Sequence, residues 1–130
     1  MTYSSSSQHD ASDVQDPKVV RILDPVDIQG LTQFTENGVM RGIGSAVISA
    51  RWNFVARVRV PGVTFRSNVM ASIAELFQNP EDGGAFSKPD IGPAHMYVRA
   101  VAPKRDEVWV SGYIDWERNL PVRVSVFIGF

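Results

Sequence analysis

The last 36 residues, His95 to Phe130, restrict the fold more than any other stretch of the chain. His95-Met96-Tyr97-Val98-Arg99-Ala100-Val101 alternates and stops at Ala102-Pro103-Lys104-Arg105-Asp106. Glu107 to Trp116 follows, then the polar turn Glu117-Arg118-Asn119-Leu120-Pro121, and Val122 to Phe130 closes the chain. β-Branched and aromatic residues at period two, bounded by Pro and charged turn residues, predict three strands that meet as antiparallel neighbours. Trp109 and Trp116 lie seven apart on the middle one, so a regular strand sends them to opposite faces. One is expected in the core and the other at a sheet end, beside Glu117-Arg118-Asn119.

The rest of the chain is punctuated in the same way. Val19 to Leu23 predicts a short strand ended by Asp24-Pro25, and Val26 to Phe34 is left open by Gly30. Asn37-Gly38 predicts a hairpin turn, because Asn-Gly takes the positive φ that tight hairpins need. Met40 to Ala50 reads as a strand softened by Gly42 and Gly44. From Trp52 to Val60 the faces separate: Ala56, Val58 and Val60 on one side, Val55, Arg57 and Arg59 on the other. That is a half-buried strand with a basic outer face, ended by Pro61-Gly62. In residues 67–77 the apolar side chains fall at 69, 70, 73, 76 and 77, helical spacing with Ser67 as N-cap and Pro80 behind. The same residues also fit a strand with Val69, Ala71 and Ile73 inward; locally the helix is favoured. Residues 81–93, with Asp82-Gly83-Gly84 and Gly92-Pro93, predict a long surface loop.

Residues 1–18 are Ser-rich and acidic, with few large apolar side chains to offset their ordering entropy. They predict an arm that is flexible or ordered on a partner, ahead of a single domain over residues 19–130. The chain opens without a basic stretch and an apolar core, so no signal peptide is expected, and no run is long enough to span a membrane. The expectation is cytoplasmic synthesis without membrane insertion, and association with a surface or a virion only after release or assembly. A net charge of −1 gives no case for nucleic acid.

Chemistry is sparse. With no cysteine and only His9 and His95, neither a metal site nor a disulfide framework is expected. His95 has no activating Ser elbow, and no Gly-rich phosphate loop appears. The carboxylate pairs Asp106/Glu107 and Asp115/Glu117 sit at turns. No catalytic residue and no cofactor are therefore predicted. Residues 38–74 hold Arg41, Arg51, Arg57, Arg59 and Arg66 and no acid. These are expected on a solvated face paired with acids from elsewhere, such as Asp106, Glu107, Asp115 and Glu117, rather than gathered into an anion site. Arg57 and Arg59, on the outer face of their strand, are candidates for an assembly contact. Trp116 beside Glu117 and Arg118 is the candidate ligand site, since an indole stacks on the CH face of a sugar while polar forks take its hydroxyls.

The order of features resembles the H-type lectin domain of invertebrate agglutinins and discoidins. The resemblance rests on Val63-Thr64-Phe65, the run Asn68 to Leu76, Tyr97 to Val101, Trp109 to Trp116 and Arg123 to Ile128, and it covers about residues 60–130. It implies a six-stranded antiparallel β-sandwich that forms a homotrimer and binds glycans in clefts between protomers. It also implies a strand over residues 67–77. Trp116 matches the family's strand-end Trp, whereas Glu117 stands where the family has His, Val122 where it has Tyr, and Met96 where it has a sugar-contacting Arg, with Arg99 close by. The domain type also resembles receptor-binding and adaptor pieces of phage tails, which makes neighbouring particle proteins the alternative partners.

Overall fold

Strands form where the side chains alternate, and the two sheets close because several of the long strands have one wholly apolar face. A computed structural model of the chain describes residues 3–5, 16–37 and 39–129. In chain order the strands are β1 (Tyr3–Ser5), β2 (Val20–Ile22), β3 (Val26–Asp27), β4 (Gln29–Glu36), β5 (Val39–Ala50) and β6 (Trp52–Arg59). Then come β7 (Val69–Asn79), β8 (Ala85–Asp90), β9 (His95–Lys104), β10 (Glu107–Asp115) and β11 (Leu120–Ile128). One sheet has the order β1-β2-β6-β10-β9, with β3 also paired to β6; the other has the order β4-β5-β11-β7-β8. The pairings are antiparallel apart from the short β1–β2, β2–β6 and β3–β6 contacts. The fold is an all-β sandwich, with more strands than the six implied by the resemblance, because short pieces such as β1, β2 and β3 add to the long ones.

Alternation decides which face goes inward. Along β11, Val122, Val124 and Val126 have no exposed surface, while Arg123, Ser125 and Phe127 point the other way. Ala56 and Val58 of β6 and Val108 and Val110 of β10 meet them from the first sheet. Fully burying an aliphatic side chain contributes about 1.5–3 kcal/mol, so these inner faces dominate the stability. Two glycines follow from the same packing. A Cβ on Gly44 would lie 2.5 Å from the Ile28 side chain, and one on Gly112 would lie 2.7 Å from the Phe54 ring. Gly112 also sits at the register shift between β10 and β9. Gly44 is thus a packing requirement rather than a softening of β5.

Several expectations change. β9 and β10 are antiparallel neighbours, but β11 is not the neighbour of β10; it crosses to the other sheet and runs between β5 and β7. Residues 67–77 are strand, not helix. β7 pairs with β11 on one side and β8 on the other, and a helix there would leave the ladder groups of β11 without partners. Val69, Ala71 and Ile73 pack against the core, and Pro80 ends the strand in a 3-10 turn whose Glu81 N–H is accepted by Asn79 Oδ1 at 3.0 Å. Residues 81–93 are not one loop, since β8 occupies 85–90 and pairs with β7. Val63 to Phe65 is turn rather than strand, although Val63 is fully buried.

Neither Trp of β10 and its end sits fully in the core: Trp116 packs against its margin, and Trp109 lies on the outer face. Of the expected N-terminal arm, residues 3–5 pair in parallel with β2, and residues 1, 2 and 6–15 lie outside the described residues. No helix among the described residues is long and apolar enough to cross a membrane.

Candidate functional site

At one end of the sandwich the chain changes sheet twice. β5 passes into β6 at Arg51, and β10 passes into β11 through residues 116–119. The first change is abrupt: Trp52 takes a φ of 56°, a left-handed conformation uncommon for a bulky side chain. That corner throws the Arg51 side chain back beneath the second crossing. Arg51 is only 7% exposed. Its guanidinium lies 4.3 Å from the centre of the Trp52 ring, and its Nη1 donates to the Glu117 carbonyl. Trp116 is held by its packing against the core and by its main-chain N–H donating to the Ile114 carbonyl at 3.1 Å.

Between these two crossings lies a cleft of about 870 Å³, lined by Arg51, Trp52, Asp115, Trp116, Glu117 and Arg118. Two indoles supply flat apolar surface. Asp115, Glu117 and Arg118 are exposed and supply acceptors and donors at the rim. Two cations face two carboxylates, so the cleft as a whole is close to neutral. Such a set can stack on a ring and bond its substituents.

The structure therefore brings Trp116, Glu117 and Arg118 to one cleft, and it adds Asp115 to them. It does not bring Arg99. Asp115 pairs with His95 at the start of β9, and Arg99 is four residues further along, about 13 Å away along the strand. Arg51 was expected on a solvated face and is buried instead, and neither it nor Trp52 was read as part of the site. The signal was there in principle: β5 and β6 meet with no Gly or Pro between them, so Arg51-Trp52 must itself make the corner.

The five arginines of residues 38–74 are dispersed. Arg57 reaches Glu107 with two hydrogen bonds, at 3.1 and 3.0 Å, and lies 5.2 Å from the Trp109 ring. Lys104 stands 5.3 Å from the same ring, and Trp109 Nε1 donates to Glu107 Oε1 at 2.8 Å. Burial alone would push the Glu107 carboxyl up, but the hydrogen bonds from Arg57 and Trp109 and the charges of Arg57 and Arg59 outweigh it and hold it below the usual carboxylate range. Arg59 pairs with Asp27 at 3.2 Å in the open. Arg41 donates to the Gly129 carbonyl, and Arg66 stands over Phe65 at 5.6 Å. Among the described residues, no group of three or more His, Asp or Glu could hold a metal ion.

No family model, no curated protein and no solved structure matches this chain.

Proposed function

We propose that the chain is a non-catalytic, lectin-like recognition module that binds carbohydrate in the cleft between Trp52 and Trp116 and works as a homotrimer. The observation that carries this reading is the pair of tryptophans at a rim of exposed Asp115, Glu117 and Arg118. Pyranose CH faces stack on indoles, and charged forks take adjacent hydroxyls in bidentate bonds. Balanced charge favours a neutral sugar over a sulfated or sialylated one. Trp116 is the main stacking surface, Glu117 and Arg118 are the hydroxyl partners, and Arg99 has no place in a ligand of monosaccharide size. A glycan array with the wild type and Trp116→Ala tests this. A hit that Trp116→Ala loses is expected, and a wild type that binds no glycan contradicts it.

A second reading is favoured by a different observation, the exposed apolar outer face of the β4-β5-β11-β7-β8 sheet. In that reading the sandwich is a structural or adaptor unit of a phage tail or virus-like particle, and Arg57, Arg59 and the N-terminal arm contact neighbouring particle proteins. Deleting residues 1–18 then abolishes assembly while leaving the domain folded.

A further inference from the structure

We infer that the cleft continues onto the outer face of β9 and β10 as a shallow track, and that the two together take a linear, neutral oligosaccharide rather than a single sugar. This rests on the carbohydrate reading of the cleft and adds to it a ligand length and two contacts, Tyr97 and Arg99. Alternation along β10 puts Glu107, Trp109, Ser111, Tyr113 and Asp115 on one face, away from the core. Asp115 already lines the cleft. Directly opposed residues of antiparallel strands share a face, so the register lays out the rows beyond it. Asp115 stands opposite His95, Tyr113 opposite Tyr97, and Ser111 opposite Ala100. The tyrosine row is therefore about 7 Å from Asp115 and the serine row about 13 Å, room for about two further pyranose units.

Tyr97 and Tyr113 form a tilted pair with ring centres 5.7 Å apart, and Tyr97 is 50% exposed. One half-exposed tyrosine is ordinary on a protein surface. This one lies one pleat from an indole-lined cleft and beside the register shift of β9 against β10, and such bulges re-aim side chains next to binding sites. The residue left over at the shift is Arg99, which is exposed and makes no ion pair among the described residues. Beyond the tyrosines the floor is small, Ser111 and Ala100. Trp109 closes it, with its Nε1 tied to Glu107 and with Arg57 and Lys104 against its ring. Rings followed by a small floor and a guanidinium fork suit a chain of pyranoses, whose CH faces stack while their hydroxyls bond. Asp115 and Arg99 carry opposite charges at the two ends of the track, so a neutral chain fits it better than an anionic one. Trp116, the tyrosine pair and Arg99 meet the first, second and third units in turn.

Calorimetric titration of the full-length protein with N-acetylglucosamine and chitotriose, and with glucose and cellotriose, tests this. In a series that binds, the trisaccharide is expected to bind about tenfold or more tighter than its monosaccharide. Tyr97→Ala and Arg99→Ala, each with a wild-type circular dichroism spectrum, should lose most of that gain and keep the monosaccharide affinity. Arg99 is exposed, so its variant decides the point if Tyr97→Ala misfolds. Equal affinity for monosaccharide and trisaccharide overturns the track and leaves the reading of the cleft intact. A trisaccharide gain that the folded variants retain overturns the placement on β9 and β10. A wild type that binds none of the four sugars overturns the carbohydrate reading and the track with it.

Discussion

The guanidinium of Arg51 and the main-chain carbonyl of Glu117 are joined by a hydrogen bond across the end of the sandwich. The two residues belong to different sheet crossings, 66 positions apart in sequence. That contact ties together the two crossings that line the cleft, through a buried charge. The same device does not recur at the opposite end. There Asp106, at a φ of 58°, accepts from the Gly62 N–H at 3.0 Å and also exchanges main-chain bonds with Val60 and Val63.

Arg51→Ala should cost about 1.5–3 kcal/mol, the range for a hydrogen bond made by a charged group. Urea denaturation followed by fluorescence measures it. Ligand affinity should fall with it, because residues 116–119 lose their anchor. A variant as stable as wild type would mean that the bond contributes nothing net.

Asp106→Asn should be nearly neutral, since Asn tolerates the left-handed region and keeps an acceptor for Gly62. Asp106→Val should lose about 2 kcal/mol or more through backbone strain and the missing acceptor. Thermal melts of the two side by side decide the point.

Two carboxylates titrate in opposite senses. Glu107 is held low, so its contribution to stability is present above the ordinary value of about 4.3 and is lost as pH falls through the depressed value. Burial pushes Glu75 up, because its side chain turns inward beside Gly92 and its Oε1 is buried without a partner. For Glu75 the favourable state is the protonated one, so stability is retained below about 4.3 and declines as pH rises through the raised value. Glu75→Gln should therefore raise the urea midpoint at pH 7 and lose that advantage near pH 4. Glu107→Gln should lower the unfolding free energy at pH 7 by on the order of 1 kcal/mol, with the deficit vanishing in acid. Urea midpoints across pH 3–8 check both signs.

Gly112→Ala should destabilise by about 1–3 kcal/mol, because the new methyl meets the Phe54 ring and the Tyr97 carbonyl. Phe54→Leu in the same chain should recover part of the loss, whereas two independent costs that simply add would show that the contact is not shared.

How much of this was legible in the residues follows from what alternation encodes. It encodes which face of a strand is buried, so β6, β9, β10 and β11 were readable within two or three residues at each end. It does not encode which sheet a strand joins. Val122 to Ile128 is as good a partner for β10 as for β5 and β7, and only the span of residues 116–119 sends it across. β7 was misread locally because Met70, Ile73 and Phe77 happen to fall at helical spacing while Val69, Ala71 and Ile73 supply the strand face. The pairing edges of β11 and β8 overrode the local preference. At the site, Trp116, Glu117 and Arg118 are contiguous and were visible as a group. Arg51 and Trp52 come from a distant strand end, and no spacing rule brings them to that group. The arginines of residues 38–74 were expected to pair with acids from elsewhere, Glu107 among them, and Arg57 does pair with Glu107.

The central claim is that sugar stacks in the cleft, and the chain's three tryptophans allow a direct test. Their indole N–H signals can be followed by heteronuclear NMR while a monosaccharide panel is titrated in. Saturable shifts of the Trp52 and Trp116 signals are expected, with Trp109, tied to Glu107 on the outer face of the β1-β2-β6-β10-β9 sheet, left in place. Shifts confined to Trp109, or three signals that stay fixed with every sugar in the panel, would contradict it.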